Sequence, residues 1–386
     1  MFACNPSALQ GEHRKRSRAD HIGFRTVIVG LPNVGKSTIF NALTRTDAAQ
    51  TANYPFCTIE PNTGEVAVPD PRLDAIAAIA ESRITRPART RFVDIAGLVK
   101  GASRGEGLGN RFLASIREVD AIAHVLRCFE DDDIVHVHGQ VGPLNDMQVV
   151  ETELMLADLE SIERQTQTLV RHVKGGNADA VQRQSLLDRA ARCLDEGSPA
   201  RNITMEASER AAWRQIGLLT AKKVMYVCNV AEQDLATGNA HTEAIADHAR
   251  AQTMPLVLCS AALEEQLGQL DAAEATEYLA MLGCEGSGLG HLARVGYDLL
   301  DLITFFTTGP KETCARPVRA GATAPEAAGR IHEDFRRGFI RAETVACNDF
   351  IAAQGFAGAR AAGKVRAEGK SYIVQDGDIM NILFNV

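Results

Sequence analysis

The eight residues Gly30-Leu-Pro-Asn-Val-Gly35-Lys36-Ser37 fit the pattern GxxxxGK[ST], and no other stretch of the chain constrains its fold so tightly. That spacing asks for a strand that stops, a loop that turns its amides inward, and a helix that starts at once. Glycines let successive N–H groups wrap an anion, and the helix adds the positive end of its dipole. The flanks comply. Arg25-Thr-Val-Ile-Val-Gly30 is short, β-branched and glycine-bounded, as a buried parallel strand should be, and Thr38-Ile-Phe-Asn-Ala-Leu-Thr reads as helix. A chance match in a chain of this length is on the order of one in a hundred. Asn33, Val34, Gly35, Lys36, Ser37 and Thr38 are therefore candidate nucleotide-binding residues. Lys36 is expected to reach the β- and γ-phosphates and to act in catalysis, and the Ser37 hydroxyl to ligate Mg²⁺.

Further strand-like runs follow at Thr90–Asp94, Ala121–Leu126, Lys223–Asn229 and Pro255–Ser260, with helical stretches between them. Strands alternating with helices imply a parallel α/β sheet with its ligand at the carboxyl ends of the strands. Between Val149 and Thr220 the pattern changes. Met155, Leu159, Ile162, Thr166, Leu169 and Val173 alternate spacings of four and three on a charged background, which predicts a coiled-coil-like seam. A Gly-Gly-Asn turn at 175–177 and a second helical stretch make this an antiparallel hairpin inserted at 149–220; ordinary amphipathic packing on the sheet is the alternative. From about Asp301 short apolar runs at Ile303–Thr307, Arg316–Arg319, Lys364–Arg366, Tyr372–Val374 and Ile382–Phe384 surround one helix-like stretch, Ala324–Phe335. The expected organisation is an extension at 1–22, a P-loop unit at 23–300 carrying the insertion, and a small α+β unit at 301–386.

Asp94 ends the second strand in Asp94-Ile-Ala-Gly97. An aspartate there can hold Mg²⁺ through water, and Gly97 can offer its N–H to the γ-phosphate. The segment Gly101–Gly109 carries four glycines and suits a γ-phosphate sensor that orders on its ligand. Thr58, in the loop between these elements, is placed to complete the Mg²⁺ shell. Asn229-Val-Ala-Glu232 follows a strand where a guanine-specific protein would show Asn-Lys-x-Asp. That aspartate accepts from N1–H and the 2-amino group of guanine, donors that adenine lacks, and the lysine that would line the base is here Val230. Adenine is thus tolerated or preferred, with Asn229, Val230, Glu232 and the backbone at Ser260 as base contacts.

A net charge of −8 argues against a globally basic nucleic-acid coat, so no direct DNA binding is expected. No apolar run approaches the roughly 18 residues that cross a bilayer. The nine cysteines are scattered and free of CxxC spacing, which fits a reducing cytoplasm better than a disulfide framework or a zinc site. Cys128, Cys228 and Cys259 sit in apolar runs as small core residues, and His124 reads as structural. The basic stretch Gly11–Asp20 has no apolar h-region and reads as a disordered extension, with a transit peptide or nucleic-acid arm as the other readings.

These pieces together resemble the YchF/Obg-like ATPase family of the translation-factor class of P-loop proteins. The resemblance rests on GLPNVGKST at 30–38, NYPFCTIEPN at 53–62, DIAGLVKGASRGEGLGNRFL at 94–113, the NxxE form at Asn229–Glu232 and VQDGDIMNILFNV at the end. It implies that residues 301–386 form a TGS domain, a ubiquitin-like β-grasp. It also implies slow hydrolysis of ATP in preference to GTP and association with the ribosome, chiefly its large subunit. Leu98 then stands where Ras-like proteins place the glutamine that orients water, leaving catalysis to phosphate electrostatics, Mg²⁺ and a group from a partner or the mobile loop. A guanine-specific GTPase and a non-hydrolysing scaffold are the competing readings.

Overall fold

The computed structural model describes residues 24–51, 63–94, 113 and 116–385. Two six-stranded sheets organise the chain. The first runs β2 (Thr63–Ala67), β4 (Arg89–Asp94), β1 (Arg25–Val29), β5 (Ala121–Arg127), β6 (Lys223–Asn229), β7 (Leu256–Cys259). All neighbours are parallel except β2, which runs antiparallel to β4 at the edge. The five strands expected from the sequence are the five parallel ones. Every residue of β5 is buried, which is why it reads as a continuous apolar run rather than an alternating one. The edge strand β2 alternates half-buried and buried positions around Gly64 and Val66, too short and too mixed to stand out in the sequence.

Helix α1 (Lys36–Thr51) starts directly from the phosphate-type loop. Helix α2 (Pro71–Ile79) opens with Asp70 as its cap, whose Oδ1 accepts from Arg72 N, and with proline at the first turn. Helix α3 (Pro143–Lys174) and helix α4 (Ala178–Asp195) form the hairpin, joined through Gly176 at φ 72° and capped by Asn177, which accepts from Ala180 N. The hairpin divides its work. Met147, Val150, Leu154 and Ala157 of α3 belong to the core against the sheet, whereas Ile162 joins Leu186, Leu187, Ala190 and Leu194 of α4 in a separate cluster. Both sequence readings of this segment therefore apply, each to one half of the helix. Asp158 marks the changeover: its buried carboxylate accepts from Leu219 N and Thr220 N at 2.8 Å and from Thr220 Oγ1 at 2.7 Å, tying the hairpin to the start of β6.

The second sheet has the order β11 (Arg366–Glu368), β10 (Phe339–Ala346), β12 (Asp378–Phe384), β8 (Leu302–Thr307), β9 (Glu312–Arg319), β3 (Ile84–Arg86). Its last strand comes from the P-loop part of the chain, pairing Ile84, Thr85 and Arg86 in parallel with Glu312, Thr313 and Cys314. Ser82 Oγ donates to Gly309 O at 2.7 Å beside this seam, and Arg72 pairs with Asp376 at 2.6 Å. Two expectations for this region need correction, and one strand escapes the sequence reading. Tyr372–Val374 is not a strand and contributes only a single bridge, Thr323 to Ile373, because Tyr372 donates its hydroxyl to Asp378 across a turn. The stretch Ala324–Phe335 is two short helices, 324–329 and 333–337, because Arg330 N and Ile331 N close 3₁₀-type turns and His332 starts a new cap. Strand β10 was not evident, since a register shift between Phe339 and Arg341 breaks its alternation. No helix among the described residues is long and apolar enough to cross a membrane.

Candidate functional site

The carboxyl ends of β4, β1, β5, β6 and β7 open on one side of the sheet, and the candidate residues collect there. Gly30 leaves β1 so close to β5 that a Cβ would lie 2.4 Å from Val125 O. Asn33 is left-handed at φ 63°, and Gly35 at φ 95° has room for no side chain, since a Cβ would meet Asn229 Nδ2 at 2.2 Å. These conformations turn peptide N–H groups toward the mouth of the loop.

Lys36, the first residue of α1, is 8 % exposed and donates from Nζ to Leu31 O at 2.6 Å. Burial pushes its ammonium down to about 8, with the nearby Asp94 carboxylate acting the other way. A cation held dry is one that gains strongly from an arriving phosphate. Asp94 stands at the end of β4 opposite Ile28, level with the start of the loop. Ser37, the next residue on α1, is exposed. A hydroxyl and a carboxylate are hard oxygen donors that suit Mg²⁺. Thr58, Gly97, Leu98, the glycine-rich segment 101–109 and the N-terminal extension lie outside the described residues.

Beside the loop lies a cleft of about 590 Å³. Asn33, Gly35 and Thr38 form one side, Asn229 to Glu232 the floor, and Ser260 to Ala262 the end. Of the predicted nucleotide-binding residues, Asn33, Gly35, Thr38, Asn229, Val230, Glu232 and Ser260 line this cavity, while Val34, Lys36 and Ser37 do not. Asn229 is 3 % exposed, and both halves of its carboxamide are engaged: Nδ2 donates to Val34 O and Oδ1 accepts from Ala261 N, each at 3.0 Å. It clips the loop after β1 to the β7 end, and these two bonds use one of its two Nδ2 hydrogens. Glu232 accepts at Oε1 from the Tyr278 hydroxyl at 2.7 Å.

The fourth wall was missed by the sequence reading. It is the loop Phe129–Ile134, and Arg127 builds it. This arginine is 1 % exposed, and the bonds it makes go to backbone carbonyls. Its Nε, Nη1 and Nη2 donate to Phe129 O, Ile134 O and Asp131 O at 3.1, 2.8 and 3.0 Å, and its guanidinium lies 4.8 Å from the Phe129 ring. An arginine inside an otherwise apolar strand was the available signal, because burying that charge requires acceptors nearby. Asn33 Nδ2 donates to Val135 O at 3.0 Å, joining the loop to the phosphate side.

Beyond it, His136 Nε2 lies 2.8 Å from Asp146 Oδ2 and His138 Nδ1 lies 3.3 Å from Asp146 Oδ1. Their ligand-type atoms fall within 4.8 Å of one another. However, His138 N donates to His136 Nδ1 at 3.2 Å, which places the His136 proton on Nε2, facing Asp146. That is the state of a hydrogen-bonded pair, since a metal-bound imidazole must donate from its second nitrogen. His124 is buried away from the cleft; burial first, then Arg201 and Lys36, push it down to about 3, so it is neutral. Cys128, Cys228 and Cys259 are fully buried.

A family model described as a 50S ribosome-binding GTPase matches residues 25–172. A second, the YchF GTPase C-terminal family described as a protein of unknown function, matches 302–385. The chain is 50 % identical over 365 residues to the ribosome-binding ATPase YchF of Escherichia coli O157:H7, covering 95 % of this chain and all of that one. It is 46 % identical over 361 residues to the same-named protein of Bacillus subtilis, covering 93 % and 98 %. Among solved structures, that of the Schizosaccharomyces pombe YchF GTPase superposes with a TM-score of 0.84 at 36 % identity, covering 94 % of this chain and 98 % of that one.

Proposed function

This chain belongs to the YchF family, and we propose that it is a slow, adenine-preferring P-loop nucleotide hydrolase that switches with its nucleotide and associates with the ribosome in the cytoplasm. The observation that carries the reading is the floor of the cleft. Val230 and Glu232 stand where a guanine reader needs lysine and aspartate, and Asn229 keeps one amide hydrogen for a base nitrogen. The names of the bacterial relatives agree, and they motivate the ribosomal partner and, with it, the cytoplasmic location.

In this reading Asn33, Val34, Gly35, Ser37 and Thr38 surround the phosphates with backbone N–H groups while Lys36 pairs with the β- and γ-oxygens. Ser37, Asp94 and Thr58 would hold Mg²⁺, which would offset the charge on those oxygens. The donor set fits: an exposed hydroxyl and a strand-end carboxylate flank the lysine. Gly97 would contact the γ-phosphate. With Leu98 in the water-orienting position, turnover without a partner is slow. The chain divides into a P-loop unit at 23–300 with the hairpin within 149–220, and a TGS-type unit at 301–386 to which β3 is lent.

The test has three parts. ATP should displace a fluorescent adenine nucleotide at lower concentration than GTP, and the reverse order overturns the base assignment. Single-turnover ATP hydrolysis should be measurable and lost in Lys36→Ala; equal rates in both proteins would remove the P-loop from the chemistry. Cosedimentation with purified large subunits should depend on the nucleotide. The Schizosaccharomyces pombe relative is named a GTPase, which favours the guanine reading, and the displacement order decides between the two.

A further inference from the structure

The Tyr278 hydroxyl holds a carboxylate that lines the base cleft, yet Tyr278 belongs to none of the sequence motifs. It sits on helix α8 (Ala272–Met281; α5, α6 and α7 being Arg210–Ile216, Ala240–Ala251 and Ala261–Leu267). That helix is capped at its start and rests on the core through one face. Asp271 accepts from Ala273 N and Glu274 N at 2.9 Å, and Glu274 Oε2 accepts from Asp271 N at 3.1 Å, closing a capping box. Leu279 is buried in the main core, with Ala275, Tyr278 and Leu282 packed against it. Glu232 is equally constrained at its backbone, in a turn where Leu235 N donates to Glu232 O at 3.2 Å. Its side chain, half-buried and long, would otherwise sample several rotamers. The one group that bonds its carboxylate among the described residues is the Tyr278 phenol, at 2.7 Å to Oε1. The carboxylate pushes the phenol's pKa up, so Tyr278 remains the donor.

A carboxylate reads guanine by accepting from N1–H and the 2-amino group with its two oxygens at once, as part of a planar, two-bond match. Glu232 already accepts the Tyr278 hydroxyl at Oε1, from a residue that does not line the cleft, and this fills one lone pair of that oxygen. Its remaining oxygen suits a single donor, such as the 6-amino group of adenine, and the plane of the carboxylate is set by the tyrosine rather than by the base. We propose that Tyr278 is a specificity-determining positioning residue, which anchors Glu232 with one oxygen turned away from the base and thereby disfavours guanine. Discrimination then comes from denying the wrong base its second bond as much as from a contact with the right one. This rests on the adenine-preferring reading above.

The experiment measures affinities of the full-length protein for ATP and GTP by competition with a fluorescent nucleotide. Four proteins are compared: the parent chain, Tyr278→Phe, Glu232→Ala, and the double variant. Tyr278→Phe should move the ATP:GTP affinity ratio about 3- to 10-fold toward GTP, the size of one gained or lost hydrogen bond. In the Glu232→Ala background the same change should leave the ratio where it was, because the tyrosine has nothing left to hold. A ratio unmoved by Tyr278→Phe overturns the proposal, as does an equal shift with and without Glu232. Thermal melting of each variant checks its fold, and Tyr278→Leu, which keeps an apolar side chain and carries no hydrogen-bond donor, substitutes if the phenylalanine variant is unstable. A parent chain that prefers GTP refutes the base assignment instead, before any variant is made.

Discussion

Replacing Asn229 by alanine should damage the protein before any nucleotide is added. The side chain is 3 % exposed and bridges two backbone groups from distant segments, Val34 O and Ala261 N, at 3.0 Å each. Alanine orphans both. A buried polar group left without a partner costs ~1–3 kcal/mol, and the adjoining cleft lets water recover part of that, so a net loss of about 2–3 kcal/mol follows. With an unfolding entropy of about 2 cal/mol/K per residue, a cooperative unit of a few hundred residues should melt about 4–6 °C lower. Calorimetry of the nucleotide-free protein reads this directly. Asn229→Asp sharpens the test: it keeps the acceptor for Ala261 N but turns a second oxygen toward Val34 O, so it should be at least as damaging despite its matching shape. An unchanged melting temperature in nucleotide-free Asn229→Ala, together with weakened nucleotide binding, would refute the clip and leave only a base contact.

Two other perturbations follow from the same geometry. Arg127→Met removes three hydrogen bonds to the Phe129–Ile134 loop while keeping much of the side-chain volume, and should weaken nucleotide binding by about 10-fold or more, read by equilibrium titration alongside faster amide exchange in that loop. Glu264 is 5 % exposed, and burial pushes its carboxyl up to about 7 against the hydrogen bonds from Leu289 N and Gly288 N. Between the ordinary carboxyl value of 4.5 and 7 the folded protein holds a proton that the unfolded chain has released, so this group's contribution falls as pH rises through that window. The melting temperature should decline more from pH 5 to pH 8 in the parent chain than in Glu264→Gln.

Much of this protein is local, and local features are legible. The phosphate loop needs a strand, two permissive backbone positions and a helix start in consecutive order, so Gly30 to Ser37 announced the fold and nominated the candidate site. Strands β1, β5 and β6 are buried on both faces almost throughout and appear as largely apolar runs, whereas β4 and β7 alternate buried and half-buried positions. The hairpin shows in the spacing of Met155 to Val173. What the sequence withheld depends on partners far along the chain. Strand β3 becomes a strand only because Glu312–Cys314 offers it an edge. Strand β10 hides its period behind a bulge.

The same holds for the cleft. Residue type and spacing put Asp94 and Asn229 at strand ends and Lys36 and Glu232 just beyond them, because a parallel sheet sends all those ends to one side. Their division of labour was decided in three dimensions. Asn229 spends its amide on the scaffold, Arg127 shapes a wall that no motif records, and Glu232 takes its orientation from Tyr278, 46 residues downstream. A motif fixes which atoms arrive at a site. The directions in which those atoms can bond are set by neighbours that only folding brings within about 3 Å of them.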